Sequence, residues 1–79
     1  MKLEIITPKD KLYEGEVTLV SLPGTMGAFE ILKNHAPVIS TLTSGEIKII
    51  DTEKNSKTFK VKSGLVEASN NIIWVLAET

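Results

Sequence analysis

Cysteine is absent from the 79 residues, which excludes disulfides, thiolate nucleophiles and any zinc or iron–sulfur site built on cysteine spacing. Arginine is absent too, since all nine basic residues are lysine, and with it goes the guanidinium fork that reads guanine or grips phosphate from two sides. Histidine occurs once, at position 35. A catalyst built from this inventory would have to rely on lysines, carboxylates, hydroxyls or backbone groups, so a binding or structural module is the expected class. Tyr13, Phe29, Phe59 and Trp74 are too few and too scattered to stack nucleic-acid bases, and a net charge of −1 supplies no basic excess; nucleic acid is not an expected partner. No run approaches the roughly 20 apolar residues of a membrane-spanning helix. The opening Met1-Lys2-Leu3-Glu4 lacks the apolar core of a signal peptide, so a soluble chain not exported by that route is expected.

What the sequence does have is β-branched residues. Nine Ile, eight Thr and six Val stand against four Ala, a composition that favours strands over helices. Punctuation by Pro8, Gly15, Pro23-Gly24, Gly27, Pro37, Gly45, Asn55 and Gly64 cuts the chain into pieces of strand length. The expected fold is all-β, one domain over residues 1–79 whose regular short strands read as a sandwich or a barrel. Strands are expected at Leu3–Thr7, Leu12–Leu22, Ala28–Leu32, Val38–Thr43, Glu46–Ile50, Thr58–Lys62, Leu65–Ala68 and Ile72–Ala77. Gly15 is expected to bulge or bend the second of these, Pro23-Gly24 to make a sharp turn, and Asp51–Ser56 to form a solvated hairpin tip. Phe59 and Val61 alternate cleanly with Lys60 and Lys62. The last strand, Ile72-Ile73-Trp74-Val75-Leu76, is apolar on both faces; such a strand either lies between two layers or presents one face to a partner.

The candidate chemical motifs are sparse. Gly24 and Gly27 stand three apart between strands, but no Lys-Ser/Thr pair entering a helix follows them, so a tight turn with positive φ fits better than a phosphate cradle. His35 has neither a metal-ligand cluster nor a nucleophile elbow around it; a hydrogen bond that fixes its loop and a partner contact are the two readings left open. Glu14 and Glu16 share a strand face without a third ligand in register, which describes solvated surface. Lys33, near a turn of a small β domain, raises the alternative of a biotinyl- or lipoyl-type carrier, although Leu32 and Asn34 are not the neighbours such carriers use. A free-standing sugar- or oligonucleotide-binding sandwich is a third possibility. No metal and no cofactor are expected.

The ordered string Leu22-Pro23-Gly24-x-x-Gly27-x-Phe29-x-Ile31-Leu32-x-x-His35-Ala36-Pro37 resembles the signature of the epsilon subunit of F-type ATP synthases. Agreement continues through Leu3-x-Ile5-Ile6-Thr7-Pro8, Tyr13-x-Gly15, Gly45-x-Ile47-x-Ile49, Lys62-Ser63-Gly64-Leu65-Val66-Glu67 and Val75-Leu76-Ala77-Glu78, nearly the whole chain. The resemblance implies a single flattened β-sandwich of about eight to ten short strands at the foot of the rotor, docked on the gamma subunit and resting on the polar loops of the membrane c-ring, with ATP chemistry on other subunits. It implies a location at the cytoplasmic face of the bacterial inner membrane, peripheral and as part of the complex.

Carried over position by position, Thr7, His35 and Ser40 would face gamma, while Ala28, Phe29, Glu30 and His35 would form the c-ring-facing loop. Gly24, Gly27 and Pro37 would shape the turns. Ala28 departs from the acidic residue common there, and Glu30 is a candidate substitute. Family members commonly continue into a two-helix hairpin after the Ala77-Glu78-Thr79 equivalent. Its absence from this sequence gives the expectation of no self-inhibition and no nucleotide binding by this chain.

Overall fold

The computed structural model describes residues 1–79. Eight strands form in chain order: β1 (Lys2–Ile6), β2 (Lys11–Gly24), β3 (Gly27–Leu32), β4 (Val38–Leu42), β5 (Gly45–Asp51), β6 (Ser56–Val61), β7 (Ser63–Ser69) and β8 (Ile72–Glu78). There is no helix, and so none long and apolar enough to cross a membrane. Every strand expected from the alternation of apolar and polar residues is present. The exception to short length is β2, whose 14 residues serve two layers.

Its first half, Lys11–Glu16, pairs with β1. Its second half, from Val17 to Gly24, pairs with β5 on one side and β3 on the other. The first layer is completed by β8 beside β1, then β7, then β4, and a single bridge from Leu42 to Gly24 returns it to β2. In the second layer β6 lies outside β5. Between the layers lies one core of aliphatic side chains, among them Leu3, Ile5, Val66, Ile73 and Val75 from the first and Val20, Leu22, Ile31, Ile47 and Ile49 from the second. No polar or charged residue is buried in it. The flattening is seen in extents of 27 × 23 × 17 Å.

Two local expectations are corrected. Gly15 does not bulge; it pairs regularly with Leu3, and a side chain there would meet the Tyr13 hydroxyl at 3.0 Å and its ring at 3.3 Å. Burial, and secondarily the charge of Asp51, raises the Tyr13 hydroxyl pKa. The irregularities fall instead at Leu12, which is left between the Ile5–Tyr13 and Ile6–Lys11 pairs, and between Val17 and Leu19, where β2 passes from one layer to the other. Nor is Pro23-Gly24 the turn. β2 runs through both residues, with Gly24 opposite Gly27, and Thr25-Met26 makes the tip. Pro23 is tolerated because no ladder bond calls for its missing N–H: the pairing of β2 with β5 ends at Ser21, and towards β3 it faces Ala28 next to the pair that closes the turn, while its carbonyl accepts from Thr43 N at 2.8 Å.

The two glycines of this hairpin are needed for different reasons. Gly27 sits at φ +127°, the conformation expected of it. At Gly24 the requirement is space, since a Cβ would fall 2.6 Å from Gly27 O and 2.8 Å from the Phe29 ring. The other tips are built from polar residues. Asp51 Oδ1 accepts from Glu53 N and Asn55 N at 2.8 and 2.9 Å. Asn70 and Asn71, at φ 52° and 59°, make the two-residue turn from β7 to β8.

Candidate functional site

Strand pairing arranges the outward side chains of the first layer in rows, because residues opposite each other across a ladder share a face. One row reads Ile6 (β1), Leu76 (β8), Leu65 (β7) and Thr41 (β4); the next reads Glu4, Trp74, Glu67 and Ile39. β8 is therefore the second kind of doubly apolar strand. It buries Ile73, Val75 and Ala77 and turns Trp74 and Leu76 to solvent. With Ile39 at 75% exposure, Leu76 at 53%, Trp74 at 40% and Leu65 at 38%, the outer face carries four large uncovered apolar side chains. Scattered exposed apolar residues are ordinary, whereas residues gathered on one flat face mark a surface that another molecule covers. An open groove of about 670 Å³ borders the patch, lined by residues including Ile6, Thr7, Pro8, Leu65 and Leu76.

The residues assigned by position fall around this face in different ways. Thr7 lines the groove beyond the end of β1. Its hydroxyl is committed to the turn, accepting from Lys9 N and Asp10 N and donating to Asp10 O at 3.0–3.2 Å. Ser40 lies in the middle of β4 opposite buried Val66, so it is half-buried on the inward side; the outward positions of β4 are Ile39 and Thr41. His35 belongs to the loop between β3 and β4. That loop is held at the opposite end of the sheet from Thr7, where Asn34 N donates to Asn71 Oδ1 at 2.8 Å and Lys2 N to Asn71 O at 2.9 Å. The Nδ1–H of His35 donates to Ala36 O at 2.8 Å, while its Nε2 is buried without a partner. Pro37 is exposed in the same loop. Thr7, Ser40 and His35 thus mark the far end, middle and near end of one sheet without converging on a point.

The second group divides by strand alternation. Ala28 and Glu30 are exposed on the outward side of β3, whereas Phe29 between them turns inward and packs against the core. Met26, at the hairpin tip, is 98% exposed. This hairpin is tied to the first layer by Thr25 N donating to Thr41 O at 3.1 Å and by the paired hydroxyls of Thr25 and Thr41 at 2.8 Å. Lys33, the candidate carrier lysine, is exposed, but its turn packs through Asn34 on the β7–β8 turn and does not protrude as a hairpin tip would.

Charge at the β1 edge of the face is balanced within the chain. Glu4 and Glu14 lie directly opposite each other, an unfavourable like-charge pair, and Lys11 Nζ sits 3.5 Å from Glu4 Oε1 and 3.0 Å from Glu14 Oε1. The hydrogen bond and charge of Lys11 lower the Glu14 pKa, and the hydrogen bond to Glu14 raises that of Lys11. A lowered carboxylate contributes stability above its unfolded pKa and loses it as pH falls; a raised amine contributes below its unfolded pKa and loses it as pH rises. Both contributions are therefore full across neutral pH. Lys11→Met, which leaves the two glutamates opposed, is expected to lower the melting temperature at neutral pH in low salt, and the gap should close in molar salt because exposed charges are screened. A gap that persists in salt would assign the loss to packing.

Comparison with known proteins gives this face its context. The profile of the ATP synthase delta/epsilon chain β-sandwich domain matches residues 1–79. The chain belongs to that family. It is 39% identical over 77 residues to the ATP synthase epsilon chain of Chlorobium limicola, covering 98% of this chain and 88% of the relative. It is 41% identical over 78 residues to the epsilon chain of Leptospira interrogans, covering 99% of this chain but 61% of that one. A chain in the cryo-EM structure of the Euglena gracilis mitochondrial ATP synthase superposes with a TM-score of 0.91 over 98% of this chain and 49% of its own length. At 10% identity that match speaks for the fold. Family membership fixes the epsilon-type sandwich that the ordered glycine, proline and histidine string indicated.

Proposed function

We propose that this epsilon-family chain is a non-catalytic part of the ATP synthase rotor, docking on the gamma subunit through the outward face of the first layer and on the c-ring through the second. The observation that carries the proposal is the uncovered apolar face of Ile39, Leu65, Trp74 and Leu76. A free-standing domain gains nothing from exposing it, and a partner would bury it with the favourable free energy of apolar burial. Thr7 and the His35 loop bracket this face at its two ends, so the positions carried over for gamma lie along one sheet. Thr41 and Ile39 present the outward chemistry of β4 in place of Ser40.

For the c-ring, Glu30 shares the exposed side of β3 with Ala28, and in this reading it supplies the carboxylate missing from position 28. Phe29 holds the strand from within. Coupling ion flow to ATP synthesis then requires of this chain only that it hold both partners firmly, with no cofactor or nucleotide of its own, at the cytoplasmic face of the bacterial inner membrane.

Co-purification tests the proposal. Tagged chain expressed in its own cells should bring down gamma and the c-ring, and His35→Glu combined with Thr41→Arg should weaken the gamma contact, the first by charging the end of the face and the second by setting a bulky cation on the outward side of β4. Failure of the wild-type chain to retain gamma would overturn the assignment. An added mass on Lys33 in the recovered protein would instead favour a carrier.

A further inference from the structure

Among the apolar side chains of the outer face stands one carboxylate with no counter-charge. Glu67 lies between Ile39 on one neighbouring strand and Trp74 on the other, with Leu65 two residues before it on β7. None of the four ion pairs in the chain involves it. Glu4, on the far side of Trp74, is already engaged by Lys11. Any molecule that covers the face strips water from Glu67, and an ionised carboxylate desolvated without a cation is strongly disfavoured. The indole of Trp74 adjoining it attracts a cation to its face.

We infer that the partner covering this face presents a lysine or arginine that pairs with Glu67 and lies over Trp74. The inference rests on the docking reading above and adds the chemistry of the contact. A second copy of this chain does not meet the requirement. A two-fold pairing would bring the same carboxylate and apolar residues together, and the lysines at the edge, Lys2 and Lys11, are spent on Glu14 and Glu4. The occupant is instead an apolar protein surface with one positive charge set in it, and under the docking reading that surface belongs to gamma.

Calorimetric titration of purified gamma from the same complex with this chain, across a series of salt concentrations, tests it. Glu67→Gln keeps the side-chain shape and removes only the charge. It should weaken binding by about tenfold or more, because it leaves the partner's cation buried and unpaired, and the affinity should fall less steeply with salt than for the wild type. Trp74→Leu, which keeps an apolar side chain but removes the ring, should weaken binding by a smaller factor with the salt slope intact. Equal or tighter binding by Glu67→Gln, or an unchanged salt slope, overturns the pairing while leaving the docking reading standing. No binding by the wild-type chain removes both. A chain that sediments as a dimer, with Glu67→Gln strengthening the dimer, would also overturn it.

Discussion

Truncating Ile73 to alanine is expected to remove a large share of the stability of the fold. Ile73 is fully buried, the second residue of β8, opposite Leu3 on β1 and Ala68 on β7. Ala68 is too small to move into the space left behind. Removing a buried isoleucine in such a setting costs about 2–5 kcal/mol, and a chain of 79 residues has a total stability of about 4–12 kcal/mol at typical values per residue. Urea unfolding should show a transition midpoint well below that of the wild type. The control is Ile39→Ala, the same truncation at a position 75% exposed, which should stay within about 0.5 kcal/mol of wild type. If the two variants unfold alike, the inward and outward faces have been assigned wrongly.

Leu76→Asp is expected to produce the mirror outcome: a folded chain that has lost its partner. Leu76 is 53% exposed, so the change leaves no cavity and buries no charge in the free protein. In the docked state the new carboxylate would sit between Leu65 and Ile6, on a face that already carries Glu67, and would be desolvated there with nothing to pair with. The loss of affinity for gamma should be about 100-fold or more. Melting temperature should change little. Glu53→Lys at the β5–β6 tip, far from the face in the strand order, serves as the control and should bind as wild type does. If Leu76→Asp binds gamma normally, the outward face of β8 is not the contact.

Much of the fold could be read from the sequence because its strands separate apolar from polar residues in alternation. Thr58–Lys62 is the clearest case, with Phe59 and Val61 facing the core and Lys60 and Lys62 facing water. The asparagine and glycine tips were equally legible, since left-handed backbone at Asn70, Asn71 and Gly27 is what these residue types tolerate. The layer change in β2 was not, because it depends on two different strand pairings meeting at Thr18, and no residue there advertises it. The candidate site was half legible. A strand apolar on both sides announced that something must cover Trp74 and Leu76 unless β8 lay between two layers, but the choice needed the pairing of β8 with β1 and β7. Glu67 carries no signal in the sequence beyond its place in the Lys62–Glu67 string. Its isolation among Ile39, Leu65 and Trp74 arises from three strands set side by side, and sequence spacing alone does not bring Ile39 next to residue 67. Ser40 shows the converse limit, in that its place on a strand could be read from the sequence while the side it faces is decided by the register with Val66.

The parallel pairing of β1 with β8 bears on the timing of assembly. β1 is the first strand in chain order and β8 the last, yet they are hydrogen-bonded neighbours, so β1 has β2 as its only partner while the rest of the sandwich is being synthesised. Contacts of such long sequence separation form slowly and late. β8 carries Ile73 and Val75 inwards and Trp74 and Leu76 outwards, so the step that seals the interior is the same step that creates the adhesive exterior. A nascent chain therefore lacks the complete outward apolar face until β8 is in place, and that face and the closed core are finished together.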